Sequence, residues 1–296
     1  MSKEKKIHIV KSVIKHGLLL CVGFFWIYPF LWMISASFKG QNEFFQNRMG
    51  LIPVQPTIDN FIRIWQKADF GTYFINTIIV TAFSVIIVLI MTMMAGYAMG
   101  RYKFLGRNLC MAVFLASIAI PLVSTIIPTY EVVKGMNLVG TKLGLILSQA
   151  GGAHVIFLLL FTSFFQSVPN ELEEASKIDG CSDAKFFFRI VLPLSRTILA
   201  VLGIMYMSSH WNAYFNAFLY LKDRDLFPLQ LFLRQILVQS NFDSQMLDPE
   251  AVAQMQTLQM LLKYSVIVIA TAPMLCLFPF FQKYFDKGIL IGSLKG

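Results

Sequence analysis

The sequence predicts an all-helical integral membrane bundle, and three observations predict it. Of 296 residues, 56% are hydrophobic and 14% are charged, with a mean hydropathy of +0.64. The charges gather in short patches separated by long stretches with none, whereas a water-soluble globule of this length spreads far more charge over its surface. The apolar stretches between the patches reach the roughly 20 residues that a helix needs to cross a hydrocarbon core.

Six stretches qualify: 17–38, 70–100, 108–130, 143–165, 197–221 and 264–282. Within each, lipid offers the backbone no partner, so helix is the expected conformation. None alternates in the manner of a barrel strand. The first stretch follows Lys3, Lys5, Lys6, Lys11 and Lys15 and ends near Ser35-Ala36-Ser37, as a secretory leader would. It is too long for one and contains Trp26 and Pro29, so it reads as an uncleaved anchor. The whole chain, 1–296, is expected to be a single transmembrane domain.

Six spans return both termini to one side. With the N-terminus inside, the inner segments carry the lysines above, Arg101, Lys103, Arg107, Lys177, Lys185, Arg189, Arg196, Lys283, Lys287 and Lys295. That excess places both termini in the cytoplasm. The net charge of +9 is therefore a topology signal rather than a sign of nucleic acid, for which no basic face with interleaved aromatics exists. Cys21, Cys110, Cys181 and Cys276 have no paired spacing, which suggests neither metal site nor disulfide framework. Pro29, Pro121, Pro128, Pro273 and Pro279 fall within the apolar stretches, where each removes a helix hydrogen bond. The third span, with Pro121 and Pro128 around Ser124 and Thr125, is expected to be irregular. In the segment 222–263, a helix is expected over 229–238, and another starts at Asp248-Pro249-Glu250 and runs into the sixth span.

The segment 167–196, between the fourth and fifth spans, reads as two short helices. Pro169 suits a first helical turn, and Glu171, Glu173 and Glu174 favour the positive end of the dipole. Gly180 suits the left-handed residue past a helix end. Ser182 can cap the second helix, and Pro193 lies where the chain re-enters the membrane.

Within this segment Glu174-Ala175-Ser176, then Gly180, Ile190 and Leu192-Pro193 resemble the coupling-loop signature of ABC importer permeases, with Ser176 standing where alanine is usual. Asn76-Thr77, Ala95-Gly96-Tyr97-Ala98-Met99-Gly100-Arg101-Tyr102, Ile120-Pro121, Trp211-Asn212 and the terminal Lys287-Gly288 and Lys295-Gly296 extend the resemblance to carbohydrate importers. The most similar class is the six-span subunit of the maltose type; residues 280–296 are most similar to the subgroup importing complex or acidic plant-derived oligosaccharides. The resemblance implies a type I ABC importer permease bundle with a cytoplasmic coupling helix, in a bacterial cell membrane. It implies a heterodimer with a second permease subunit, two copies of an ATPase and an extracytoplasmic solute-binding protein. It implies no cofactor or metal on this chain, ATP and Mg being used by the ATPase, and no catalytic residue. Glu174 is then expected to meet an ATPase groove.

Trp211, Asn212, Tyr214 and Asn216 are candidates for a carbohydrate path, since aromatic faces stack on sugar rings and amides bond hydroxyls. An interfacial aromatic belt is the competing reading. An ion-gradient-driven transporter would place carboxylates inside the spans, and a membrane-embedded enzyme would cluster His, Asp or Cys at one depth; the sequence does neither. No Gly-rich loop followed by Lys-Ser/Thr is present, so nucleotide hydrolysis belongs to another chain.

Overall fold

The computed structural model describes residues 3–67, 69–151, 154–239 and 249–293. Among them every regular element is helical. In chain order the helices are α1 (Lys3–Ser37), α2 (Gln41–Gln46), α3 (Asp59–Lys67), α4 (Phe70–Arg101), α5 (Arg107–Ser117), α6 (Leu122–Gly135), α7 (Lys142–Ala150) and α8 (Val155–Ser167). After these come α9 (Asn170–Ile178), α10 (Asp183–Phe186), α11 (Leu192–Leu194), α12 (Arg196–Trp211), α13 (Phe215–Tyr220), α14 (Leu229–Gln239) and α15 (Pro249–Ser293). A π-helical turn, Phe187–Val191, joins α10 to α11.

Among the described residues three helical stretches are long and apolar enough to cross a membrane unbroken: Lys11–Ser37, Phe70–Arg101 and Gln256–Gln282. Two of the other expected spans are bent pairs, and a third bend lies just ahead of the expected fifth span, 197–221. Helices α5 and α6 meet at 109°, α7 and α8 at 56°, and the stretch Asp183–Leu194 meets α12 at 72°. The break in 108–130 falls at Pro121, which has an extended backbone and precedes α6, while Pro128 is carried inside α6. Pro29, Pro273 and Pro279 likewise stay inside α1 and α15. A proline ends a helix only where its neighbours also fail to restore the lost hydrogen bond. The stretch 143–165 is two helices rather than one, the first closing at Gly151, and the stretch 197–221 is interrupted between Trp211 and Phe215. The helices expected over 229–238 and from Pro249 into the last span are present as α14 and α15.

The described residues fall into two compact units. In the first, Met1–Phe70 with Gln235–Ala272, Ala36, Phe44 and Leu261 form the core, and Trp32 meets the edge of Tyr264 at 5.2 Å. The end of α1 leaves carbonyls without helical partners. Asn60 on α3 satisfies two nearby ones, its Nδ2 donating to Ser37 O at 3.0 Å and Lys39 O at 2.9 Å. The fully buried Lys39 donates to Asn47 O at 2.8 Å and Gly50 O at 2.6 Å, which offsets the cost of removing its charge from water.

In the second unit, Gly71–Arg234 with Pro273–Gly296, α4 is the central element. Its start is tied to the segment before α14: Asn76 Nδ2 donates to Asp225 O at 2.7 Å and Phe227 O at 3.1 Å, and Thr77 Oγ1 accepts from Leu229 N at 2.7 Å. Its end packs on α8 through Gly96 and Gly100. A Cβ at Gly96 would lie 2.5 Å from Phe161 Cβ, and one at Gly100 would lie 3.0 Å from Phe165 Cβ and from Thr162 O. Two glycines four residues apart let helices approach this closely. Around that contact Met93, Tyr97, Phe161, Phe165, Phe186, Val191 and Leu202 form a core cluster, which joins α4 and α8 to the segment after α9.

Candidate functional site

The segment 167–196 forms a short helix held against the base of α4. Helix α9 carries Glu171 and Glu173 in its first turn and Lys177 in its last, which suits the dipole at both ends. Pro169 lies one position earlier than a first-turn proline, at the cap, with ψ 138°. The helix ends in two reversed hydrogen bonds: Cys181 N donates to Ser176 O at 2.9 Å and Gly180 N to Lys177 O at 3.1 Å. Gly180 has φ +72°, the left-handed conformation that this ending needs and that side chains disfavour. Ser182 Oγ accepts from Lys185 N at 3.4 Å and starts α10.

The Ser176 side chain is buried, and its Oγ donates to Glu173 O at 2.8 Å. A small residue is therefore required where α9 turns inward. Ile190 lies in the π-helical turn and packs with Leu192 against the α4–α8 core. Pro193 follows in α11. Ser195 Oγ donates to Val191 O at 2.7 Å, just before the chain bends into α12. The wider π turn absorbs an extra residue ahead of Pro193.

Glu174 and Ala175 project outward and are exposed. So are Leu172, at 40%, and Ile178, at 87%.

Two basic residues, Arg101 and Lys177, secure the helix. Arg101, at the end of α4, donates to Glu173 Oε2 at 2.6 Å and to Val168 O at 2.8 Å. Lys177 donates to the other oxygen, Glu173 Oε1, at 2.8 Å. The Arg101 side chain is only 6% exposed and that of Glu173 26%. The hydrogen bond from Lys177, then that from Arg101, holds the Glu173 carboxyl below the usual carboxylate range against the opposing pull of partial burial. The same bond raises Lys177. The i,i+4 pair Glu173–Lys177 was readable in the sequence; the partner 72 residues earlier was not.

The second candidate group lies where the chain breaks between α12 and α13. Trp211 is 6% exposed and meets Phe74 edge-on at 6.0 Å, so within this unit it is a packing residue. Asn212 is exposed; its Nδ2 donates to Ser208 O at 2.8 Å, and its Oδ1 accepts from Gln230 Nε2 at 3.3 Å. Tyr214 is 38% exposed and lies beneath the Arg234 guanidinium, 4.6 Å from its carbon. Asn216 is half-buried.

Apolar helices long enough to cross a membrane, with a charged, capped helix held to the end of α4, define an integral membrane protein. Residues 92–291 match the family described as binding-protein-dependent transport system inner membrane component, and the chain belongs to that family. It is an ABC importer permease subunit and not an enzyme. It is 37% identical over 277 residues to the protein LplC of Bacillus subtilis (strain 168), covering 93% of this chain and 91% of that one. It is 35% identical to the polygalacturonan/rhamnogalacturonan transport system permease protein YtcP of the same organism, over 95% of this chain and 96% of that one. Its fold matches a chain in the crystal structure of a bacterial ABC transporter involved in the import of the acidic polysaccharide alginate. The TM-score is 0.82 and the identity 24%, over 96% of this chain and 99% of that one.

Proposed function

We propose that this chain is one of two permease subunits of an ATP-driven importer that carries oligosaccharides into the cytoplasm. The six spans are Lys11–Ser37, Phe70–Arg101, the bent pairs α5–α6 and α7–α8, the broken stretch 197–221 and Gln256–Gln282, with both termini in the cytoplasm. Two ATPase copies, using ATP and Mg, drive the cycle, and an external binding protein delivers the sugar. Relatives that transport polygalacturonan/rhamnogalacturonan and arabinooligosaccharides support the substrate class. The orientation rests on basic residues at the ends of the inner segments. An alkaline phosphatase fusion after Lys222 should be active and one after Gly180 inactive; the reverse activities would invert the topology.

The observation that carries the coupling role is the division of labour on α9. Glu173 faces inward to Arg101, while Glu174, Ala175 and Ile178 face out. The inward contacts make α9 move with α4, and the outward ones are free for the ATPase. A charge-assisted contact from Glu174 to an ATPase cation contributes about 1.5–3 kcal/mol, roughly ten- to a hundredfold in docking. Glu174→Lys is expected to release the ATPase from the purified complex and abolish uptake, while Glu174→Ala is milder. A charge-reversed arginine in the ATPase groove should partly restore the lysine variant only. Normal ATPase retention and uptake by Glu174→Lys would remove Glu174 from the docking surface.

A further inference from the structure

The break between α12 and α13 brings together chemistry that the coupling helix does not use. Irregular backbone at the end of a membrane helix is tolerated where it is packed in protein or lines a water-filled space, and broken helices hold ligands in other transporters. Beside this break, Arg234 of α14 lies over two aromatic faces, with its guanidinium carbon 4.6 Å from the centre of Tyr214 and 5.2 Å from that of Phe218. Both rings are partly bare, Tyr214 at 38% and Phe218 at 59%. Among the described residues Arg234 has no carboxylate within ion-pair distance. The neighbouring amides of Asn212 and Gln230 are bonded to each other at 3.3 Å.

Attraction to ring faces holds a guanidinium without using up a carboxylate partner, and its N–H donors are the groups that grip a carboxylate through two parallel hydrogen bonds. The exposed ring surface offers a flat apolar platform, and the amides offer hydroxyl partners. We infer that Arg234, held on Tyr214 and Phe218 beside the Asn212–Gln230 amide pair, is a subsite for the carboxylate of a uronate residue in the oligosaccharide being imported. The inference rests on the carbohydrate reading above and adds a charge requirement to it. A planar cation beside aromatic and amide groups selects an acidic sugar from neutral ones by binding the group that neutral ones lack.

The test uses the assembled importer in cells lacking the chromosomal permease. The cells receive one mixture of oligosaccharides from polygalacturonate, alginate and glucuronoxylan digests with neutral malto- and arabino-oligosaccharides. Depletion of each species from the medium is followed by mass spectrometry, with permease level and binding-protein co-purification measured alongside. The wild type should deplete uronate-bearing species. Arg234→Gln should lower the ratio of acidic to neutral uptake at least about tenfold, and Arg234→Lys should fall between, since it keeps the charge without the planar fork. An unchanged ratio in Arg234→Gln overturns the subsite alone. Wild-type uptake of neutral species only overturns the charge requirement and leaves the carbohydrate reading standing. Uptake of no saccharide overturns both. Loss of binding-protein co-purification in Arg234→Gln overturns the subsite by assigning the arginine to a protein contact. Loss of both variants from the membrane overturns it by making Arg234 a packing residue.

Discussion

Replacing Gly96 by alanine is expected to destabilise the bundle out of proportion to the size of a methyl group. The added Cβ would sit 2.5 Å from Phe161 Cβ, 3.2 Å from Thr162 N and 3.3 Å from Leu158 O. Carbon atoms in contact settle near 3.5–4.0 Å, and two of these three neighbours are backbone, so no side-chain rotation relieves the clash. Helices α4 and α8 must separate, which opens the core built on Phe161, Phe165 and Met93. Overpacking of this kind costs about 1–3 kcal/mol, or about 2–4 °C of melting temperature per kcal/mol. Gly96→Leu should prevent accumulation of the protein. Gly203→Ala is the control, because its Cβ would meet only Leu89 Cδ1, at 3.6 Å, and alanine favours helix. Thermal unfolding of the purified complex, read by size-exclusion, compares the two. Equal melting of Gly96→Ala and Gly203→Ala would show that the close approach of α4 and α8 does not limit stability.

Replacing Arg101 by methionine is expected to separate ATP hydrolysis from transport. The change removes the link between the end of α4 and α9, leaving Val168 O without its donor and Glu173 with Lys177 alone. Breaking a fully buried pair costs about 3–5 kcal/mol. Here Glu173 is a quarter exposed and keeps one partner, so about 1–2 kcal/mol is the appropriate scale. That is enough to let α9 move independently of the span. Hydrolysis by the assembled complex should persist while uptake per ATP falls several-fold; uptake that keeps pace with hydrolysis would rule out the link as a transmission element. The pH dependence follows from the depressed Glu173 carboxyl. A carboxylate whose folded value lies below its unfolded one contributes stability that is fully present above the unfolded value and is lost as pH falls through the folded one. The anchor is therefore intact at neutral pH and fails only in acid.

Much of α9 is legible in the sequence. Its glutamates, Gly180 and Ser182 act through hydrogen bonds and dipoles spanning three to five residues, and such local terms are written in the order of the residues. The long apolar helices were legible for the same reason, since each span satisfies its own backbone. Helix breaks were less so. Pro121 interrupts its helix while Pro29, Pro128, Pro273 and Pro279 do not, because whether a lost hydrogen bond ends a helix depends on what surrounds it.

Trp211 shows the same limit at the level of a side chain. Its position in a polar and aromatic cluster pointed to a sugar path, and tertiary packing against Phe74 turned it inward, leaving Tyr214 and Asn212 outside. The sequence by itself determined the membrane bundle, the six apolar stretches and the capped helix between the fourth and fifth, all set by composition and short-range bonding. Only the tertiary structure decided that Arg101 holds Glu173 across 72 positions, that Gly96 and Gly100 are the floor on which α8 rests, and that Arg234 lies over the Tyr214 ring. Each of these pairs residues distant in the chain, and only folding sets the distance between them.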